Sequence, residues 1–243
     1  GGVTVKKKDT VFQISISWVF IILALVCVIP VALVLITSLT DQAALNANGY
    51  SFFPKQWSTA AYTYIWSSAK HTILSAYGVT IFTTVAGTVA GVLIVALYAY
   101  PLSRTDFKYR NAFAFFSFFT MLFSGGMVSW YMVCTSMLHL GNTIWALILP
   151  GIMNSWYVVI LRTFFATSIP AAVIESAKID GASEYKILFK LVMPLSLPGL
   201  ATIALFFTLK FWNDWYNALM FITDDKLRNL QFLLQSMLSK IQM

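Results

Sequence analysis

Apolar residues fall in long unbroken blocks along this chain rather than in alternation, and the blocks have the length of membrane crossings. Trp18 to Ile36 is uncharged, and at about 1.5 Å per residue it covers roughly the 30 Å hydrocarbon core of a bilayer. It is the first predicted span, with a kink expected at Pro30. Ile73 to Tyr100 is the second. Its Gly87 and Gly91, beside Ala86 and Ala90, have the small-residue spacing that lets helix backbones approach closely, and packing inside one subunit is the expected use. Asn111 to Cys134, the third, is rich in Phe until Ser124-Gly125-Gly126 interrupts it. Two adjacent glycines weaken a helix by about 1 kcal/mol each, and broken backbone at membrane depth survives only beside protein or a cavity, so this bend is expected to face the interior. Thr143 to Leu161, with Pro150-Gly151 at its centre, is the fourth span, and Leu197 to about Trp212 is the fifth. The pattern predicts an all-α membrane protein, a polytopic transmembrane helix bundle with five visible spans.

The polar stretches between the blocks carry helical signals of their own. Trp57, Tyr62, Tyr64 and Trp66, after Phe53-Pro54, read as a short helix at the membrane interface, a depth tryptophan and tyrosine favour. In the tail, Leu227, Leu230, Leu233, Leu234, Met237 and Leu238 have helical spacing, and the segment is too short and polar to span. Residues 166–194 form a charged hairpin. Thr167 or Ser168 can cap a helix with Pro170 in its first turn that runs to about Ile179, and Asp180-Gly181 ends it. A second helix starts near Ser183 and is expected to stop by Met193, ahead of Pro194. Its Ile187, Leu188, Leu191 and Val192 share one face, with Lys186 and Lys190 on the other, and Glu175 is spaced to pair with Lys178.

Composition agrees with the blocks: 59% of residues are apolar, 10% are charged, and the mean hydropathy is +0.77. A net charge of +7 would suggest nucleic acid in a soluble protein, but here the cations lie in short loops between spans. Lys6, Lys7, Lys8, Arg104, Lys108, Arg110, Arg162, Lys178, Lys186 and Lys190 fall on one face, and Lys55, Lys70, Lys226 and Arg228 on the other. By the positive-inside rule the N-terminus is cytoplasmic and the tail external. Lysines before an apolar run resemble a signal peptide, but the run is too long and lacks a small-residue cleavage pattern, so it reads as an anchor. Gly1 is not a natural start, and a residue or more is expected to precede it.

Candidate chemistry narrows the function by elimination. Cys27 and Cys134 supply neither a disulfide framework nor metal spacing, and His71 and His139 are isolated, so no catalytic or metal site assembles. A secondary transporter of a small solute, ion-coupled, needs ionisable groups at mid-membrane, and the centres of all five spans lack them. Sugar contacts combine aromatic faces with amides and carboxylates. Asn154, Trp156 and Tyr157 in span four, and Trp212, Asn213 and Asp214 at the outer end of span five, do so, against alternatives of helix packing and interfacial anchoring.

The order of residues in the hairpin resembles the EAA loop of ABC importer permeases, whose pattern is E-A-A-x-x-x-G, nine residues, then I-x-L-P. Glu175, Ser176, Ala177, Gly181, Leu191, Met193 and Pro194 stand at those places, with Ser176, Leu191 and Met193 as mild departures. Lys178-Ile179-Asp180-Gly181-Ala182-Ser183, Leu195-Ser196-Leu197-Pro198-Gly199-Leu200 and Phe211-Trp212-Asn213-Asp214 are similar to the maltose-type, MalG-like carbohydrate-uptake branch. Phe123-Ser124-Gly125-Gly126-Met127 and Asn142-Thr143-Ile144-Trp145-Ala146-Leu147 look like importers of oligosaccharides or polysaccharide fragments.

The resemblance implies the type I ABC importer permease fold, with a cytoplasmic N-terminal segment (1–17) and a transmembrane permease domain (18–243). The family has a sixth span, and the sequence stops before it. The hairpin would dock in a cleft on a cytoplasmic ATPase through Glu175, Ser176, Ala177, Asp180, Gly181, Leu191 and Pro194. The implied partners are two such ATPase subunits, a second homologous permease, an extracytoplasmic sugar-binding protein and the lipid bilayer of the bacterial inner membrane. No nucleic acid, metal or cofactor of the chain's own is implied. The sequence has no G-x-x-x-x-G-K-[ST] phosphate loop, so ATP and Mg would be bound, and ATP hydrolysed, by the partner ATPases.

Overall fold

The computed structural model describes the backbone of residues 3–241 and the side chains of residues 12–240. Gly1 and the side chains of Lys6, Lys7 and Lys8 lie outside the described residues, as does Met243. Among the described residues every regular element is a helix, and the extended pairing is a lone bridge between Thr40 and Trp57. The chain divides into two compact units, Gly1–His71 and Thr72–Met243.

In the first unit, α1 (Val3–Ser38) includes an apolar stretch, Phe12–Ser38, of 27 residues. It outlasts the predicted span at both ends, and its flanking hydroxyls bond back into the helix, Ser17 Oγ to the Gln13 carbonyl and Ser38 Oγ to that of Leu35, both at 2.8 Å. The helix continues through Pro30. Asp41 caps α2 (Gln42–Asn48), accepting from the Ala43 N–H at 3.0 Å. The expected interfacial helix exists as α3 (Ala60–Tyr64), but it is not separate. A π-type turn, Ile65–Ala69, joins it to α4 (Lys70–Ser103) in one helix of 44 residues, since no glycine or proline stands between them.

The second unit is built around α4, α8 (Ser155–Ser168) and α12 (Leu197–Trp212), whose Val95, Ala99, Leu161, Ile203, Phe207 and Phe211 are buried together. Here the small residues of span two find their use. A Cβ on Gly87 would stand 2.6 Å from the Phe211 ring, and one on Gly91 would stand 2.8 Å from the Phe207 ring. The glycines therefore receive two aromatic rings of the same chain, as expected. Because a ring in a packed core cannot swing aside, overfilling costs about 1–3 kcal/mol. Gly87→Val is expected to lower the temperature at which the detergent-solubilised protein loses monodispersity, and Gly87→Val with Phe211→Ala is expected to recover part of that loss. An unchanged profile for the single variant would contradict this packing.

Two of the predicted spans are broken helices. The third span bends by 115° between α5 (Arg110–Leu122) and α6 (Gly126–Met132), where Gly126 adopts φ +79°, a conformation costly for other residues. On this chain by itself the residues of the bend are exposed, and α5 buries only Ser117. The fourth span bends by 51° between Trp145–Gly151, which contains α7 (Trp145–Ile148), and α8. The break falls at Ile152–Asn154, after the Pro150-Gly151 pair rather than at it, since Pro150 fits a 3-10 turn. The Gly151 carbonyl freed there accepts from Lys210 Nζ at 2.8 Å. The fifth span is α12, with the predicted limits.

Beyond it come α13 (Tyr216–Phe221), a 3-10 turn at Asp225–Leu227 and α14 (Leu230–Ile241). Leu230 and Leu233 of α14 are buried against Ala76 of α4, whereas Leu234, Met237 and Leu238 are exposed. Thr80 Oγ1 accepts from the Leu230 N–H at 2.9 Å, so a side chain of α4 caps α14. Asn142, at φ +54°, accepts from the Thr223 and Asp224 N–H groups and ties the loop after span three to the connection beyond α13.

Candidate functional site

The hairpin begins differently from its prediction. α8 carries on through Thr167 and Ser168, whose polarity the helix absorbs by bonding Thr167 Oγ1 to the Thr163 carbonyl at 2.9 Å. Pro170 itself, extended at ψ 135°, takes the cap position of α9 (Ala171–Ile179). The end of α9 is as expected. Gly181 has φ +76°, its N–H reaches the Lys178 carbonyl at 3.0 Å, and the Ala182 N–H reaches the Ala177 carbonyl at 3.0 Å. These are the two bonds of a Schellman ending, which requires a left-handed residue at this place. Ser183 caps α10 (Glu184–Ile187), and a π-type turn, Leu188–Val192, leads into α11 (Met193–Leu195). The second helix thus passes Pro194 instead of stopping by Met193. The wide turn opens the ladder where the proline ring would otherwise meet a carbonyl. α12 then departs at 84°.

Ile187, Leu188 and Val192 are buried with Ala177 and the half-buried Leu191 against the main core, as the spacing predicted. Facing out are Glu175, Ser176, Asp180, Gly181 and Pro194, with Ile179 86% and Tyr185 73% exposed. A rigid angular knob with a mixed polar and apolar outer surface results.

Lys178 does not pair with Glu175. Its Nζ lies 2.6 Å from Asp106 Oδ2 and 2.7 Å from Glu184 Oε1. The Tyr100 hydroxyl donates to Glu184 Oε2 at 2.7 Å, and Arg104 Nε stands 3.5 Å from Asp106 Oδ1 without hydrogen-bond geometry. The Lys178 ammonium holds both carboxyls, Asp106 and Glu184, below the usual carboxylate range and is itself pushed up by its bond to Asp106, then by that to Glu184. Leu97, Tyr100, Phe107, Tyr185 and Leu188 line an open cleft of about 490 Å³ beside this cluster. The sequence reading missed it because its members lie 72 and 84 positions apart. Opposite charges in two loops on the same face were the only available signal.

A second cleft, of about 510 Å³, lies where the two broken spans meet, lined by Tyr98, Ser117, Thr120, Met153, Asn154 and Ser155 among others. Thr120 of α5 and Ser155 of α8 are hydrogen-bonded at 3.0 Å, and Ser117 Oγ donates to the Tyr98 hydroxyl at 3.1 Å. Only Asn154 of this lining was singled out in the sequence. Hydroxyls alone are too common in apolar helices to draw attention.

The other candidate sugar contacts have local structural roles. Asn154 caps α8 by accepting from the Trp156 N–H at 2.9 Å. Tyr157 packs between Phe206 and Phe207, whereas Trp156 is exposed. Asn213 donates to the Leu209 carbonyl at 2.8 Å. Asp214 accepts from the Asn217 backbone and side chain at 3.1 and 2.6 Å, with Trp212 and Trp215 partly exposed beside it.

Comparison with known proteins places this architecture. Residues 93–240 match the family described as binding-protein-dependent transport system inner membrane component. The chain is 38% identical to the polygalacturonan/rhamnogalacturonan transport system permease protein YtcP of Bacillus subtilis, over 94% of this chain and 78% of that one. It is 39% identical to protein LplC of the same organism, over 86% and 70% of the two chains. Among solved structures, a bacterial ABC transporter involved in the import of the acidic polysaccharide alginate superposes with a TM-score of 0.84 at 29% identity, covering 94% of this chain and 80% of that one. The bent spans and the outward hairpin are therefore those of an ABC importer permease, and the chain belongs to the family of binding-protein-dependent transport system inner membrane components.

Proposed function

We propose that this chain is one of two permease subunits of an ATP-driven importer that takes up an oligosaccharide or polysaccharide fragment delivered by an extracytoplasmic binding protein. The hairpin carries the reading. Glu175, Asp180, Ile179 and Tyr185 project from a knob held rigid by the Gly181 ending and by Lys178, as an element that must be gripped by a second protein requires. Two cytoplasmic ATPases holding ATP and Mg would supply the force. The sugar class is supported by the names of the similar permeases, which handle polygalacturonan, rhamnogalacturonan and alginate systems. The sugar would pass the cleft between the broken spans, since irregular backbone at membrane depth occurs where it lines a path. The complex reconstituted in proteoliposomes is expected to accumulate oligogalacturonides only with internal ATP. Uptake driven by an ion gradient without ATP would overturn the reading.

The same proposal places the N-terminus and the hairpin in the cytoplasm and the tail outside, following the distribution of lysine and arginine. In a Cys27→Ala, Cys134→Ala background, Lys186→Cys is expected to resist an impermeant thiol reagent in intact cells and to react in inverted vesicles. Labelling from outside would refute this orientation.

A further inference from the structure

The hairpin is tied to a span that is not its neighbour in sequence. Its flanking segments are α8 and α12, yet Lys178 and Glu184 reach Asp106 and Tyr100, at and just beyond the last turn of α4. Arg162 of α8 grips the same turn, its Nε donating to the Leu102 carbonyl at 3.1 Å. Tyr100 and Leu102 are buried, so a displacement of this turn cannot be absorbed by loose side chains.

The charges themselves are partly exposed, at 33% for Lys178, 51% for Asp106 and 55% for Glu184. Exposed pairs contribute about 0–1 kcal/mol to stability, which makes the cluster a poor folding device. Its arrangement serves geometry better. One ammonium joins α9, the start of α10 and the loop after α4, so none of the three can shift without losing a contact. Farther along α4, Gly87 and Gly91 seat Phe211 and Phe207 of α12.

We propose that Lys178, with Asp106, Glu184 and Tyr100, is a positioning cluster that makes the hairpin and the inner end of α4 one moving body, so that motion delivered to the knob is passed to span two. α4 then carries it to α12 through the seated rings. This rests on the reading of the hairpin as the ATPase contact.

The test uses the complete transporter with both permeases and ATPases. Phe107→Cys and Tyr185→Cys, which line the cleft beside the cluster from its two sides and leave Lys178, Asp106, Glu184 and Tyr100 in place, are bridged by a short bifunctional thiol reagent in the Cys27→Ala, Cys134→Ala background. The bridging yield is compared without nucleotide and with ATP trapped on hydrolysis-deficient ATPases, and a cysteine pair across the ATPase dimer reports closure. The expected result is equal bridging in both states while the ATPase pair changes, with the bridged complex still hydrolysing ATP when the ATPases are wild type. Lys178→Met is expected to lower ATP-driven oligogalacturonide uptake at least fivefold with ATPase co-purification unchanged, and Lys178→Arg to restore it. Bridging that falls severalfold on closure, a bridged complex that no longer hydrolyses ATP, or normal uptake by Lys178→Met would each overturn the inference. If the hairpin were not the ATPase contact, disrupting it by Gly181→Val would leave ATPase co-purification intact, which distinguishes that failure from failure of the cluster.

Discussion

Gly181→Val is expected to abolish uptake while leaving insertion of the protein in the membrane unchanged. A Cβ at this position would meet nothing within 4 Å, so the penalty is not a clash with neighbours. It comes from the backbone. At φ +76° a non-glycine residue costs roughly 1–2 kcal/mol, and a β-branched one more. Relief of that strain would break the bonds from Gly181 to Lys178 and from Ala182 to Ala177, and with them the angle between α9 and α10. The substitutions should therefore rank by tolerance of the left-handed region. Gly181→Asn is expected to retain most uptake, Gly181→Ala to lose part, and Gly181→Val to lose nearly all, with ATPase co-purification following the same order. Wild-type transport by the valine variant would show that the hairpin angle does not matter to coupling.

The parts of this molecule that were legible in its sequence are those fixed by local rules. The limits of α12, the left-handed Gly181 and the buried stripe of Ile187, Leu188 and Val192 follow from hydrophobic block length, turn chemistry and helical period. What the sequence concealed depended on partners far along the chain. Glu175 and Lys178 have good spacing for a helix pair, but two other carboxylates stand closer to that ammonium. Pro194 ordinarily ends a helix, and only the wide turn before it lets this one continue. The bend at Gly126 was visible, whereas its burial was not, because burial of a membrane helix depends on which neighbour covers it. Asp214 and Asn213 offered sugar-binding chemistry by type, yet their polar atoms bond Asn217 and the Leu209 carbonyl.

Those assignments shift the expected sugar path from the outer end of α12 toward the cleft at the helix breaks. Thr120→Val removes a hydroxyl there at nearly constant volume, together with its bond to Ser155. Asn154 is harder to read, because it both caps α8 and lines the cleft, and loss of a cap alone costs about 1 kcal/mol. Asn154→Ser separates the two roles, since serine caps nearly as well but lacks the amide. Uptake of oligogalacturonides, normalised to assembled complex, is expected to fall about tenfold for Asn154→Ser, the loss of roughly one hydrogen bond of 1–1.5 kcal/mol in the passing complex. Thr120→Val is expected to fall about threefold, and both should keep basal ATP hydrolysis. Asp214→Asn, which can still accept from the Asn217 N–H, is expected to transport normally, because the polar atoms of Asp214 are engaged with Asn217 and do not line the cleft. Were Asn154→Ser and Thr120→Val to transport like the wild type while only Asn154→Ala lost thermal stability, the cleft would be a packing feature. A loss confined to Asp214→Asn would return the path to the tryptophan-flanked end of α12.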